Sequence, residues 1–266
     1  MPFDQDAFQL ALQAGRAAFQ RGQEAGTQRP ATSGRHVAPI HRFVAEELVR
    51  HGFPASATVP DVTDPDGKYL PETAQRLLGD LRRLRAFRTD DARTALDGVE
   101  QRVRRTRRSV LGAYHAKEVD VSVMPEGMGP LVVVSIKAPT SSVAKNVVNR
   151  YEEGIGEATN LHTRFPMLVF GFLMVLPKVP ELYDNGQPTQ AFRRVEILLE
   201  ATSGRQAVTD PPGGYEAAAL VLVNYDMDPP TILEGAPAAG SRLRIEQFFD
   251  SLTALHRDRN GDTFGY

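Results

Sequence analysis

Lys117-Glu118-Val119-Asp120-Val121-Ser122-Val123 and Leu131-Val132-Val133-Val134-Ser135-Ile136-Lys137 decide the fold of this chain, because both runs set polar groups at alternate positions among branched apolar residues. Successive side chains on a strand point to opposite faces. Glu118, Asp120 and Ser122 therefore share one face, and Ser135 and Lys137 share a face of the second run. The linker between them carries Pro125, Gly127, Gly129 and Pro130, a turn composition that pairs the strands as an antiparallel hairpin. Asp120 and Lys137 then converge. A half-buried lysine needs an anionic partner and an aspartate beside it needs a cation, a demand that a divalent metal with a phosphate meets. The plain alternative is a cross-strand ion pair on a solvated sheet face.

The segment that follows tips this balance. Val143, Val147, Tyr151, Ile155, Ala158 and Leu161 recur at helical spacing, predicting a helix over 141–164 with Ser141 or Ser142 as N-cap and Pro166 as its stop. Its polar side carries Lys145, Asn149, Glu153 and Asn160, with Asn146, Arg150 and Glu157 beside them. Donors suited to phosphates and base edges thus alternate with carboxylates, and Lys145, Asn146, Asn149 and Arg150 are the candidate DNA contacts.

Asp120, a short loop and Ser135-Ile136-Lys137 resemble the half-motifs of the PD-(D/E)xK nucleases, and the stretch through Asn160-Leu161-His162-Thr163-Arg164-Phe165-Pro166 resembles type II restriction endonucleases. Val119 stands where that family often has proline, and Ser135 where it usually has Asp or Glu. Some members carry serine there and take the missing carboxylate from the helix after the lysine strand. Glu152 and Glu153 lie 15 and 16 positions beyond Lys137, near where that residue falls, whereas helix register favours Glu157 for a site facing the sheet. The resemblance implies a restriction-endonuclease-like α/β core with a mixed central sheet flanked by helices. Its implied site has Asp120, Ser135, Lys137 and Glu153 as catalytic residues and Mg²⁺ held among Asp120, Glu118, Glu152, Glu153 and Glu157. The implied activity is site-specific hydrolysis of double-stranded DNA by a homodimer or homotetramer. An N-terminal helix lends a glutamate to some sites of this kind, which brings in Glu46 and Glu47, although solvation is the commoner role of such residues. A catalytically inactive DNA-binding module on the same fold is the alternative, and Ser135 is its best support. A small-molecule-binding α/β protein is a third reading, without salt-dependent affinity for DNA.

The rest of the chain is compatible with the nuclease expectation. Its 266 residues, 41% hydrophobic, suffice for a large α/β domain, divided here into an N-terminal helical region over 1–90, suited to DNA binding or dimerisation, and a core over 91–266. There is no cysteine, hence no disulfide or thiolate metal site, which suits a reducing cytoplasm. No apolar run reaches the length of a membrane span, and the first residues lack the basic and apolar parts of a signal peptide. Net charge is −2, but Arg82, Arg83, Arg85, Arg88, Arg102, Arg104, Arg105, Arg107 and Arg108 gather just before the proposed site.

Further helices are expected over 1–24, 40–50, 72–87, 91–112, 190–202 and 241–257, buried strands over 167–176 and 217–225, and a polar linker over 27–34. His162 reads as a helix-end histidine satisfied by carbonyls rather than a base. His36, His41 and His51 lack metal-ligand spacing, and Asp61, Asp64 and Asp66 lack the closing glutamate of a calcium loop.

Overall fold

Residues 2–24, 36–139 and 143–261 are described by the structure, a computed structural model, together with their side chains except those of 18–24 and 144–145. The expected linker over 27–34, the caps Ser141 and Ser142, and the side chain of Lys145 lie outside these described residues.

In chain order the elements are α1 (Gln5–Glu24), α2 (Ala38–Arg50), β1 (Thr58–Val59), α3 (Glu72–Arg83), α4 (Asp90–Val103), β2 (Arg108–Leu111), β3 (Ala116–Val119), β4 (Val121–Val123), β5 (Val132–Lys137), α5 (Val143–Arg164), β6 (Val169–Pro177), β7 (Tyr183–Asp184), β8 (Gln187–Pro188), α6 (Gln190–Thr202), β9 (Ala217–Asn224), β10 (Thr231–Ile232) and α7 (Ile245–Asn260). A six-stranded mixed sheet runs in the order β1-β4-β5-β6-β9-β10. Its centre, β5, β6 and β9, is parallel, and the outer strands are antiparallel. The parallel strands are nearly continuous runs of Val, Leu, Phe and Ala because helices cover both faces. Val132, Val134 and Ile136 face α1, α2 and α7, whereas Val133, Phe170 and Phe172 face α5 and α6. Among the described residues no helix is long and apolar enough to cross a membrane.

The division at residue 90 does not separate two cores. Phe8 and Leu12 of α1 and Phe43, Val44 and Leu48 of α2 are buried in one cluster with Val121, Val134 and Phe249. What stands apart is the pair α3 and α4, each with a single buried leucine, Leu78 and Leu96, and with Leu77 and Leu84 exposed. The expected helix over 91–112 also ends early. Arg104 turns to an extended conformation, Arg105 exchanges backbone hydrogen bonds with Tyr69, and 108–111 becomes a strand pairing with β3. β-Branched and small residues at Thr106, Ser109 and Val110 favour that outcome.

Helix α5 lies unusually close to the sheet. A Cβ on Gly154 would stand 2.4 Å from the Phe172 ring and 2.7 Å from the Tyr215 hydroxyl, and those two rings stack beneath it at 4.8 Å. Glycine in a helix interior costs about 1 kcal/mol relative to alanine, and here it permits the close approach. Gly156, two residues on, has open space around it. Farther along α5, His162 meets the buried Glu216 carboxylate at 3.1 Å, as do the Phe170 N–H at 2.8 Å, Arg259 at 2.6 Å and Arg205. Burial pushes the Glu216 carboxyl up, but His162, the Phe170 N–H and Arg259 outweigh it and hold it below the ordinary carboxylate range.

Two stability measurements follow from these packings. Gly154→Ala destabilises by about 1–3 kcal/mol through overpacking, whereas Gly156→Ala stabilises by up to about 1 kcal/mol; urea denaturation of the two variants reads the difference in sign. Glu216→Gln leaves the buried Arg205 and Arg259 undercompensated and costs about 3–5 kcal/mol. Because folding lowers the Glu216 pKa, its contribution is complete above the unfolded carboxylate pKa and is lost as pH falls through the lower folded value. The acid limb of a stability–pH curve is therefore shallower in Glu216→Gln.

Candidate active site

The strand expected over 117–123 breaks at Asp120, and the break makes the site. On the β4 side the ladder ends with Val121 opposite Val134. One step farther the two strands part, and the Asp120 carboxylate accepts the Ile136 N–H at 2.9 Å. Upstream of the break the alternation changes phase. Val119 joins the cluster under α5, Lys117 reaches α5, and Glu118 is exposed opposite Ser109 in the separate β2–β3 hairpin. Glu118 is thereby removed from the ligand set proposed for it, and Lys117, which unbroken alternation would turn to the other face, enters the site.

Ser135 and Lys137 point from β5 toward α5, and Glu157 meets both. The Ser135 hydroxyl donates to Glu157 Oε2 at 2.6 Å and the Lys137 ammonium to Oε1 at 2.8 Å. Lys117 Nζ stands 2.7 Å from the same Oε1. Glu157 is thus the carboxylate that register favoured. Glu153 lies one turn nearer solvent, 3.4 Å from Lys137 and bonded to Arg150, while Glu152 is exposed and points elsewhere. The anionic partner of Lys137 is Glu157 rather than Asp120. Burial pushes the Glu157 carboxyl up, but Lys137, Lys117 and the Ser135 hydroxyl prevail and hold it below the usual range, so that it is an anion at neutral pH.

On the other side of the break stand a histidine and an arginine that spacing alone did not mark as partners. His41 Nε2 and Arg107 are each 3.7 Å from Asp120 Oδ1. Glu46 and Glu47 of the same helix are engaged with Arg42 and Arg50, so α2 contributes His41 and not a glutamate. Burial lowers the His41 pKa to about 4 against the opposing pull of Asp120, with Arg107, His36 and Lys137 lowering it further. The imidazole is neutral at physiological pH. His36 stays nearby through a 3.1 Å contact with the Ala138 carbonyl, just past Lys137.

Several candidates have structural duties instead. Asn160, read as part of the polar face of α5, is buried and clamps the β2–β3 turn: its amide oxygen accepts from the Tyr114 and His115 N–H groups and its amide nitrogen donates to the His115 carbonyl. His162 is buried between the Pro212 carbonyl and Glu216. Part of the basic neighbourhood is self-neutralised, with Arg82 on Asp97 and Glu100, Arg83 on Asp80, and Arg104 on Asp64. Arg108 hydrogen-bonds the Ala57 and Met124 carbonyls. Of that arginine group only Arg107 meets the site carboxylates. Asn149 and Arg150 are exposed one turn before Glu153, and Asn146 is half-buried.

Among the described residues no three His, Cys, Asp or Glu side chains form a ready-made metal cage. Asp120 and the anionic Glu157 are hard oxygen donors of the kind Mg²⁺ takes alongside waters and a substrate phosphate, and both oxygens of Glu157 are already engaged, Oε2 by Ser135 and Oε1 by Lys137 and Lys117. Comparison with protein-family models, with curated proteins and with solved structures returns no match.

The charges around His41 give it a signed test. In a two-dimensional NMR titration its ring signals move near pH 4, not near 6.5. Asp120→Asn removes the charge that raises this pKa and shifts the midpoint lower, whereas Arg107→Ala shifts it higher.

Proposed function

We propose that this protein is a Mg²⁺-dependent endonuclease of the type II restriction class that hydrolyses phosphodiester bonds in double-stranded DNA. The observation that carries the proposal is the Glu157 carboxylate, which reaches from α5 to bond Ser135 and Lys137 together. It fills the vacancy that serine leaves in the half-motif, so the site keeps its strand aspartate, its lysine and a second carboxylate. The site lies at the carboxyl end of β5, the end at which ligands commonly bind in α/β sheets.

In this proposal Asp120 and Glu157 would hold the ion, which when bound would supply positive charge to the phosphate and acidity to a bound water. Lys137, fixed by Glu157, directs its remaining N–H bonds to the attacking water and to the charge growing on the phosphoryl oxygens. Ser135 keeps Glu157 in one orientation by hydrogen bonding. Water oxygen bonds to phosphorus as one ester P–O bond breaks; water's protons end on the new phosphate and on the departing hydroxyl, so the reaction needs no other reactant. Arg107 holds Asp120, 3.7 Å from its Oδ1. Asn149 and Arg150, exposed on α5, and the half-buried Asn146 would serve as DNA contacts. A palindromic target is matched by a two-fold dimer or a pair of dimers.

A catalytically inactive DNA-binding module is the second reading. It is favoured by the two ammonium groups already satisfying Glu157.

Incubation with unmethylated plasmid DNA and Mg²⁺, with EDTA as control, separates the two. The nuclease gives discrete fragments, and Asp120→Asn, Lys137→Ala and Glu157→Gln each slow cleavage about 10²-fold or more. Intact plasmid with salt-sensitive binding is the result that selects the inactive module.

A further inference from the structure

The turn between β2 and β3 is fixed to α5 at several points. The Asn160 side chain, buried on α5, accepts hydrogen bonds from the Tyr114 N–H at 2.9 Å and the His115 N–H at 3.3 Å and donates to the His115 carbonyl at 3.1 Å. The Asn160 carbonyl accepts the Ala113 N–H at 2.9 Å. A Cβ on Gly112 would stand 2.3 Å from the Asn160 amide, so only glycine lets the turn close on it. One helical turn farther along α5, Arg164 reaches the Gly112 carbonyl at 3.4 Å.

What this frame presents to solvent is apolar. Tyr114 is 72% exposed and Leu111 is 55% exposed, and the Tyr114 ring has no partner among the described residues. Scattered exposed apolar residues are ordinary, but an aromatic side chain on a backbone pinned from beneath is preorganised for contact, because little ordering is left to lose on binding. The surroundings are basic. Residues 104–118 hold Arg104, Arg105, Arg107, Arg108 and Lys117 against Glu118 alone. Arg104 and Arg107 pair with Asp64 and Asp120, and Arg108 lies over the Tyr69 ring. Arg164 at the tip and Arg105 at the other end of the hairpin are exposed and form no ion pair among the described residues. Unpaired guanidiniums and an exposed ring on one hairpin match a nucleic acid, whose phosphates take the cations and whose bases take the ring.

We propose that the β2–β3 turn is a DNA-docking element: Tyr114 packs its ring on bases of the duplex, Arg164 binds a phosphate beside it, and together they set which phosphodiester reaches Lys137 and Glu157. This rests on the nuclease reading. Asn160 follows Glu157 by three residues on the same helix, about 4.5 Å along its axis, and β3 runs from the turn directly into Lys117. The ring and the site are therefore held at a fixed spacing comparable to one or two base-pair steps of about 3.4 Å.

The test is binding of a fluorescently labelled duplex of mixed sequence, without divalent ion, as a function of salt. Tyr114→Ala is expected to weaken binding about tenfold or more with an unchanged salt slope, and Tyr114→Phe, which keeps the ring, to bind as the wild type does. Arg164→Gln is expected to weaken binding and to reduce the salt slope by about one. Wild-type affinity in Tyr114→Ala, or a wild-type salt slope in Arg164→Gln, overturns the proposal. A Tyr114→Ala protein whose sedimentation without DNA changes while its duplex affinity does not makes the turn a subunit contact and overturns it as well. Failure of the nuclease reading looks different: plasmid then stays intact with Mg²⁺ while duplex binding still depends on Tyr114, and the docking assignment stands. A wild type without salt-sensitive duplex binding removes both.

Discussion

Glu157 is the anchor on which the candidate site depends. A carboxylate buried this deeply is tolerated only if its charge is met and its lone pairs are filled. Two lysines and the Ser135 hydroxyl do both. The constraint works in the other direction as well. Lys137, buried at the end of a strand with apolar neighbours on the opposite face, has nowhere to place its charge without α5. The strand and the helix therefore specify each other's position, and the missing Cβ at Gly154 lets the helix come near enough for short bonds.

The second half of α5 repeats this device three times. Glu157 ties it to β5, Asn160 ties it to the β2–β3 turn, and His162 ties it to Glu216 just before β9. Each link joins a buried polar side chain to a segment distant in sequence, and polar links are directional where apolar contacts are not. Apolar packing brings α5 against the sheet, while these three groups fix its rotation and its position along its axis. Arg107 and His41, which flank Asp120, come from segments outside α5, so the site forms only when the N-terminal helices, the hairpin and α5 are assembled together.

Much of this arrangement was legible in the residues. Val, Leu and Phe runs bounded by prolines mark β6 and β9, and the 3.6-residue period of 143–161 marks α5, because both patterns follow from burial of a whole face. Lys137 and Ser135 were placed correctly on one face of β5 for the same reason. Glu157 could be read from register, although spacing drew attention to Glu153. What stayed hidden has a common cause. Strand alternation holds only while the strand is continuous, so a one-residue break at Asp120 exchanges Lys117 for Glu118. Arg107 and His41 join Asp120 through tertiary packing alone, and the hydropathy pattern of α2 does not distinguish a histidine facing a carboxylate from one facing other core residues. Asn160 looked like a recognition residue because an amide on the polar side of a helix gives no sign of the loop that will cover it.

Ser135 and Glu157 answer one electrostatic demand at the end of β5. Serine carries no charge to set beside Lys137, and an uncompensated lysine at that depth would be costly. Glu157 supplies the charge from the helix, and the serine hydroxyl supplies a hydrogen bond that orients it. The carboxylate thus stands on a different element from the lysine. Its position depends on helix packing instead of strand geometry, and Lys117 approaches it from a third segment. Serine at 135, glycine at 154 and lysine at 117 thus form one coupled solution to placing a single anion at the end of β5.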